Sequence, residues 1–117
     1  MRALQRPLRA PFVEVLMDGF THIWPEKASR LGIRYREFIE SSIDRALSFG
    51  IVTESRIARF VNLDFVWGAE FEQKTEHGWA LRILRDPAMN EKAKIEELVT
   101  VTRLKLMALQ SARGSVA

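Results

Sequence analysis

Cysteine is absent from this chain of 117 residues, which also contains only two histidines. Without cysteine there can be no disulfide, no thiolate metal site and no cysteine nucleophile. A closed zinc site needs three or four ligands, and His22 and His77, in segments of different character, do not supply them. We therefore expect no metal and no other cofactor. We interpret His22 as a helix-end residue and His77 as a solvated loop residue.

Long apolar runs are also missing, because no segment approaches the roughly 18 apolar residues of a membrane span. Prolines and acids interrupt the apolar stretch that follows the Arg-rich N-terminus, so the pattern does not predict a signal peptide. Phosphate-binding loops, dinucleotide fingerprints and nucleophile-elbow motifs are absent as well. These absences favour a cytoplasmic protein that is not an enzyme.

Acidic residues are missing from residues 1–10, which carry Arg2, Arg6 and Arg9. The whole chain has 18 Lys+Arg and 15 Asp+Glu, a formal net charge of +3. Because three of the basic residues lie in the first ten, residues 11–117 are neutral overall. We predict a flexible basic arm ahead of a neutral domain. A neutral domain weakens a nucleic-acid interpretation, which needs a basic face on the domain itself.

The pattern that is present is helical, since apolar residues recur at steps of three and four and no useful strand alternation occurs. The predicted helices cover 11–24, 25–32, 33–49, 54–67, 79–85 and 91–112. This predicts an all-α fold, a compact bundle of four main helices plus one or two short helices. The single domain spans 11–112, and a frayed tail follows over 113–117.

Turn and cap residues separate the predicted helices. Gly50 suits a left-handed C-cap, with Ile51 supplying the apolar contact that often follows. Thr53 and Asn90 suit N-cap positions, where a side-chain oxygen accepts from a free amide. The predicted buried face of the last helix consists of Ile95, Leu98, Val99, Thr102, Leu106 and Leu109.

The turn at Gly50 resembles a DNA-reading helix-turn-helix, because a glycine turn precedes a capped helix that carries arginines. That motif packs an apolar residue six positions after the glycine, where this chain has Arg56. Ile57 comes one residue late, which rotates its side chain by roughly 100°. Two consecutive bundle helices are therefore the preferred interpretation. A small DNA-binding regulator using Arg56, Arg59 and the basic arm is the alternative.

Asp64 is the one carboxylate that the helical period places beside an apolar stripe. A buried carboxylate must be paired or must shift its pKa. Asp64 is therefore either a site candidate or a structural acid paired with an arginine such as Arg34 or Arg82. A single acid without a base, a nucleophile or a glycine-rich loop does not make an active site. We favour the structural pairing.

Aromatic residues cluster around the polar loop between Gly68 and Gly78, namely Trp67, Phe71 and Trp79. Aromatic side chains on a polar loop are common anchors of protein interfaces. In the alternative interpretation the two tryptophans pack under the loop, and Phe71 only pins it down. The interface hypothesis predicts that Phe71→Asp leaves the helices intact and abolishes partner binding. The last helix is a second possible contact surface.

Residues 31–99 resemble a group of small helical proteins encoded in bacterial type VI secretion gene clusters, beside effectors and their adaptor chaperones. The residues that carry the resemblance are Ile43, Arg45-Ala46, Phe49-Gly50-Ile51, Ile57-Ala58-Arg59-Phe60-Val61, Leu63, Gly68, Phe71, Trp79-Ala80, Ile83-Leu84 and Pro87. Asp64 and Trp67 depart from the aliphatic residues expected at those positions. The resemblance implies a cytoplasmic adaptor or co-chaperone that helps to load an effector before export, without catalytic residues. An immunity protein that binds the toxin directly is an alternative.

Overall fold

Six α-helices joined by short turns account for most of the chain between Arg6 and Val116. The structure, a computed structural model, describes residues 6–116, with side chains described for 9–112. The helices are α1 (Arg6–Ile23), α2 (Pro25–Leu31), α3 (Tyr35–Ser48), α4 (Glu54–Trp67), α5 (Gly78–Leu84) and α6 (Glu91–Val116). No strand occurs within this described range. The prediction of an all-α bundle with four main and two short helices is confirmed.

The central helix of the bundle is α4, which packs against both α3 and α6, while α3 also packs against α1. Phe65 on α4 is buried, and its ring centroid lies 4.9 Å from those of Phe20 and Phe38. Burying a side chain of this size stabilises a fold by about 1.5–3 kcal/mol. This aromatic cluster therefore joins α1, α3 and α4 at one end of the core.

Two of the predicted cap residues, Gly50 and Asn90, have the geometry expected of helix caps. Gly50 has φ 83°, and the amide of Ile51 donates to the carbonyl of Ala46 at 3.0 Å. Asn90 caps α6, because its Oδ1 accepts from the amide of Ala93 at 2.8 Å. The predicted cap bond from Thr53 is wrong, since no side-chain oxygen caps α4.

Thr53 bonds a different residue, the first of α6. Its hydroxyl donates to Oε2 of Glu91 at 2.6 Å. Oε1 of the same carboxylate accepts from the backbone amides of Val52 and Thr53 at 2.9 and 3.0 Å. A carboxylate is a stronger acceptor than a neutral hydroxyl. Glu91 therefore satisfies this turn and ties the start of α6 to the start of α4.

Both terminal helices are longer than predicted. α1 begins at Arg6 rather than at Pro11, and the guanidinium of Arg9 donates to Asp44 of α3 at 2.6 Å. This ion pair draws part of the predicted arm onto the bundle, whereas residues 1–5 lie outside the described residues. α6 extends to Val116, past the predicted end at 112, because no proline interrupts its hydrogen-bond ladder. Ala117 lies outside the described part.

The molecule is elongated for its length. Its principal extents are 52 × 38 × 21 Å, and its radius of gyration is 15.0 Å. A compact domain of this size has a radius of gyration of about 13 Å. The second half of α6 contributes to this difference, since all residues from 103 to 112 are exposed. Among the described helices, none is both long enough and apolar enough to cross a membrane.

Candidate protein-interaction surface

Phe71 lies in the core and not on the surface of the loop over 68–78. Its side chain has no exposed area, and its ring centroid lies 5.5 Å from that of Phe60 and 6.3 Å from that of His77. Glu70 adopts a left-handed backbone with φ 55°, and two 3-10 turns follow it and fold the loop inward. A side chain without exposed area cannot contact a partner while the loop is folded. The predicted partner-contact role of Phe71 is therefore corrected to a core role.

A buried ionic network holds the same loop against the bundle. The guanidinium of Arg45 donates to Asp64 at 2.7 and 2.9 Å and to Glu72 at 2.8 and 3.0 Å. Asp64 is buried and paired, as in the structural interpretation favoured for it. Its partner is not Arg34 or Arg82, which are both exposed. Arg45 takes that role because α3 packs directly against α4.

The two carboxylates of this network respond differently to burial. Burial raises the pKa of Asp64 above its ordinary value, and the hydrogen bond from Arg45 offsets only part of that rise. Burial also acts to raise the pKa of Glu72, but hydrogen bonds from Arg45 and Gln73 outweigh it and lower the pKa. Neither carboxylate has exposed side-chain area. The network therefore presents no acid or base to a substrate in solution and acts as a clamp on the loop.

The two histidines occupy different environments. His77 is buried rather than solvated, which corrects the prediction for it. Its Nδ1 lies 2.8 Å from the carbonyl oxygen of Phe71, and a carbonyl only accepts, so Nδ1 carries the proton. His22 is exposed near the end of α1, as predicted, with Nδ1 3.0 Å from the carbonyl of Asp18. Within the described residues, no three His, Asp or Glu side chains are placed to hold a metal ion.

Trp67 and Trp79 lie at the boundary between core and solvent. Both are half-buried, and their ring centroids are 6.1 Å apart in an edge-to-face arrangement. Nε1 of Trp67 donates to the hydroxyl of Thr102 on α6 at 3.0 Å, and Nζ of Lys105 lies 5.4 Å from the centroid of the Trp79 ring. The two tryptophans and Leu109 line a groove of about 370 Å³. Of the three aromatic candidates, these two border the surface.

The second half of α6 exposes the apolar face that the first half buries. Leu98 is fully buried, whereas Leu106 is 42% exposed and Leu109 is 53% exposed. The prediction that Leu106 and Leu109 are buried is therefore wrong. Their helical period is correct, but the other helices described for this chain cover the two leucines only in part. Leu104 and Met107, on other sides of α6, are both 59% exposed.

A second groove lies between the end of α1, the middle of α4 and α6, with a volume of about 610 Å³. Ile23, Val66, Val99 and Leu106 are among the apolar residues that line it. Of the described residues that line it, Arg59 and Arg103 are the charged ones, and both are exposed. The two grooves border α6 on opposite flanks of its exposed apolar face.

The residues required by the DNA-binding alternative are only partly available. Nη1 of Arg56 lies 3.1 Å from Glu91 and 3.2 Å from the hydroxyl of Thr53. Burial acts to raise the pKa of Glu91, but hydrogen bonds from Thr53 and Val52 and the charge of Arg56 lower it to about 2. Of the two arginines proposed to contact DNA, Arg59 is exposed and Arg56 is only partly exposed.

Arg45 and Glu72 are not singled out by the sequence pattern. Arg45 follows Asp44 on the flank of α3, and Glu72 lies in a loop in which most residues are polar. Arg45 lies beside Ser42 and Ala46 on α3, and both of these small residues are buried. Glu72 follows directly after buried Phe71, which carries it inward.

No protein-family model, no curated protein and no solved structure matches this chain. The candidate surface is therefore defined by the residues and their geometry alone. It consists of the exposed half of α6 and the two grooves that flank it.

Proposed function

We propose that this chain is a non-enzymatic protein-interaction module, an adaptor or co-chaperone that acts in the cytoplasm and assists the loading of a type VI secretion effector. The observation that carries the interaction role is the exposed apolar face of α6 at Leu106 and Leu109. The type VI assignment rests on the sequence resemblance over residues 31–99.

The geometry of α6 supports an interaction role because the exposed face is continuous with a buried one. Ile95, Leu98 and Thr102 pack into the bundle, and Leu106 and Leu109 continue the same stripe into solvent. Contiguous apolar surface of this kind on a soluble protein marks contact sites. Because these two leucines are 42% and 53% exposed, a partner that covers them would gain roughly half of the 1.5–3 kcal/mol that full burial of such a side chain contributes.

The walls beside this face are held rigidly. Trp67 is bonded to Thr102, and the loop that leads to Trp79 is clamped by Arg45 through Glu72. A surface that is ordered before binding loses less conformational entropy when it binds. An adaptor that must hold an effector for a limited time would benefit from such a preorganised surface.

Co-purification tests this function. The tagged full-length chain is expressed with adaptor chaperones and effectors from type VI secretion clusters, and the bound proteins are identified by mass spectrometry. We expect an adaptor or an effector to co-purify with the wild-type chain and to be lost with the double variant Leu106→Glu/Leu109→Glu. Leu104→Glu is the matched control, because Leu104 is at least as exposed and lies about 200° from Leu106 around the helix.

Three outcomes would contradict this function or change it. Failure of the wild-type chain to retain any adaptor or effector would contradict it. Retention of only the toxic domain of an effector would indicate an immunity protein instead. Binding of duplex DNA that is lost in moderate salt, with no protein retained, would favour the DNA-binding regulator.

A further inference from the structure

The groove between α1, α4 and α6 combines an apolar floor with a basic rim. We propose that this groove binds an acidic amphipathic helix of the partner protein, with apolar side chains in the groove and carboxylates against Arg59 and Arg103. This inference rests on the proposed function and deepens it by specifying the chemistry of the partner.

The floor of the groove presents apolar side chains from three helices, α1, α4 and α6. Ile23 is largely exposed at the end of α1, and Val66 and Val99 are half-buried on α4 and α6. Together with Leu106 they line the groove, whose volume is about 610 Å³. An amphipathic helix presents side chains at three- and four-residue steps, which is how helices dock into grooves of this kind.

The rim of this groove carries two exposed arginines, Arg59 and Arg103. Four other arginines have carboxylate partners within 3.1 Å, namely Arg9, Arg36, Arg45 and Arg56. Arg59 and Arg103 make no hydrogen bond or ion pair with any side chain described between residues 9 and 112. None of the groove's described lining residues is acidic. Two unpaired guanidinium groups beside an apolar floor favour carboxylates as the complementary groups.

The same charges argue against a second copy of this chain as the occupant. Among the described residues that line this groove, the charged ones are Arg59 and Arg103, and none is acidic. A symmetric dimer through this face would bring these cations towards their copies in the other subunit. Like charges facing each other across an interface oppose association. A separate, acidic partner helix is therefore the occupant that the charges favour.

Two synthetic peptides test the proposal. Each has about 18 residues, enough to form a helix when bound, with leucines at three- and four-residue steps. One carries glutamates beside the leucines, and the other carries lysines at the same positions. Fluorescence anisotropy measures the affinity of each peptide for the full chain. We expect the glutamate peptide to bind at least about tenfold more tightly than the lysine peptide.

Charge reversal at the rim then locates the site. Arg59→Glu/Arg103→Glu should reverse the preference between the two peptides. The control Arg30→Glu/Arg85→Glu changes the net charge equally at two exposed arginines elsewhere and should leave the preference intact. Leu106→Glu should lower the affinity for the glutamate peptide at least about tenfold, and Leu104→Glu should leave that affinity unchanged. Methyl NMR should show shifts at Ile23, Val66 and Val99 when the glutamate peptide is added.

Several results would overturn the proposal. They are the absence of glutamate-peptide binding up to about 1 mM, equal effects of the two double charge reversals, or equal effects of the two leucine variants. Sedimentation that shows a dimer lost in Leu106→Glu would assign the groove to a second copy. A partner that is captured by the wild-type chain and retained by Arg59→Glu/Arg103→Glu would refute the groove and leave the proposed function standing.

Discussion

Two regions of the molecule differ in burial from what their composition suggests, and they do so in opposite directions. They are the loop between α4 and α5 and the second half of α6. The loop is rich in charged residues, yet it buries Phe71, Glu72 and His77. The second half of α6 carries leucines and a methionine, and all of its residues from 103 to 112 are exposed. The loop lies beside a cation that neutralises its carboxylate, and the helix extends past the last element that could cover it.

Neighbouring elements, more than side-chain polarity, decide which residues of this bundle are buried. Glu72 is buried because Arg45 on α3 lies within hydrogen-bond distance of it. Leu106 remains 42% exposed because the neighbouring helices, as far as they are described, cover it only in part. The loop is accordingly a place where substitutions should affect folding. The exposed half of α6 is a place where they should affect binding.

The largest effect is expected for Phe71→Asp. It removes a fully buried ring and places a charge in the core, which should lower the free energy of unfolding by about 5 kcal/mol or more. This replaces the expectation of a folded, binding-deficient variant. Urea denaturation followed by circular dichroism measures the loss, with Leu109→Asp as the exposed control. A variant that unfolds at the wild-type urea concentration would show that the loop is not part of the core.

A smaller but still large effect is expected for Arg45→Met. It leaves Asp64 and Glu72 buried without their cation, which typically costs about 3–5 kcal/mol when one partner of a buried pair is removed. Arg36→Met is the control, since Arg36 pairs with Glu14 at the surface and such pairs contribute about 0–1 kcal/mol. Equal losses in the two variants would mean that the network does not clamp the loop.

An intermediate effect, dependent on pH, is expected for Glu91→Gln. At pH 7 the variant should lose about 1–2 kcal/mol, because an anionic acceptor for two amides, a hydroxyl and Arg56 becomes neutral. The pKa of Glu91 is lowered from 4.5 to about 2 in the folded state. The folded protein therefore binds this proton less readily than the unfolded chain does. The contribution is full above pH 4.5 and falls as the pH decreases towards 2.

Denaturation of wild type and Glu91→Gln at several pH values measures this change. The two stability curves should converge between pH 4.5 and pH 2. Glu97→Gln, at an exposed position of the same helix, should follow the wild type throughout. A difference between wild type and Glu91→Gln that is constant over this range would contradict the role given to the carboxylate.

The smallest effect on stability is expected for Leu106→Ala. Its side chain is substantially exposed, so the free energy of unfolding should change by no more than about 0.5 kcal/mol. Leu98→Ala, two turns earlier on the same face and fully buried, should lose about 2–5 kcal/mol. The comparison would fail if the two variants lost similar stability, because Leu106 would then be packed in solution.

The helices could be predicted because their signals are local. Thr53 and Gly68 bracket α4 at the predicted residues, and Gly50 has the left-handed backbone expected of it. The sequence predicts that Asp64 pairs with an arginine, but it does not predict which arginine. Which arginine reaches it depends on the packing of α3 on α4, and that packing is a long-range contact.

The candidate surface could be predicted less well. The helical period places Ile95, Leu98 and Leu106 on one stripe, and it gives no indication of where the covering helices end. The apolar stripe is buried in the first half of α6 and exposed in the second half, yet both halves show the same three- and four-residue spacing of apolar residues. Phe71 shows the opposite limit, because a single aromatic in a polar loop has the same sequence signal whether it points outward or inward. For Trp67 and Trp79 the sequence leaves two interpretations open, interface anchors or core residues under the loop, and in the structure they border both core and groove.

The length of α6 has a consequence for the exchange of its amide hydrogens with solvent. Amides near Ile95 and Leu98 open only when the packed bundle opens, so they should exchange at the rate of global unfolding. Amides from 103 to 112 lie in a segment that makes few packing contacts, and a helix of that length is marginal in water by itself. One continuous helix should therefore contain a steep gradient of hydrogen-exchange protection, and a partner that covers Leu106 and Leu109 would flatten it.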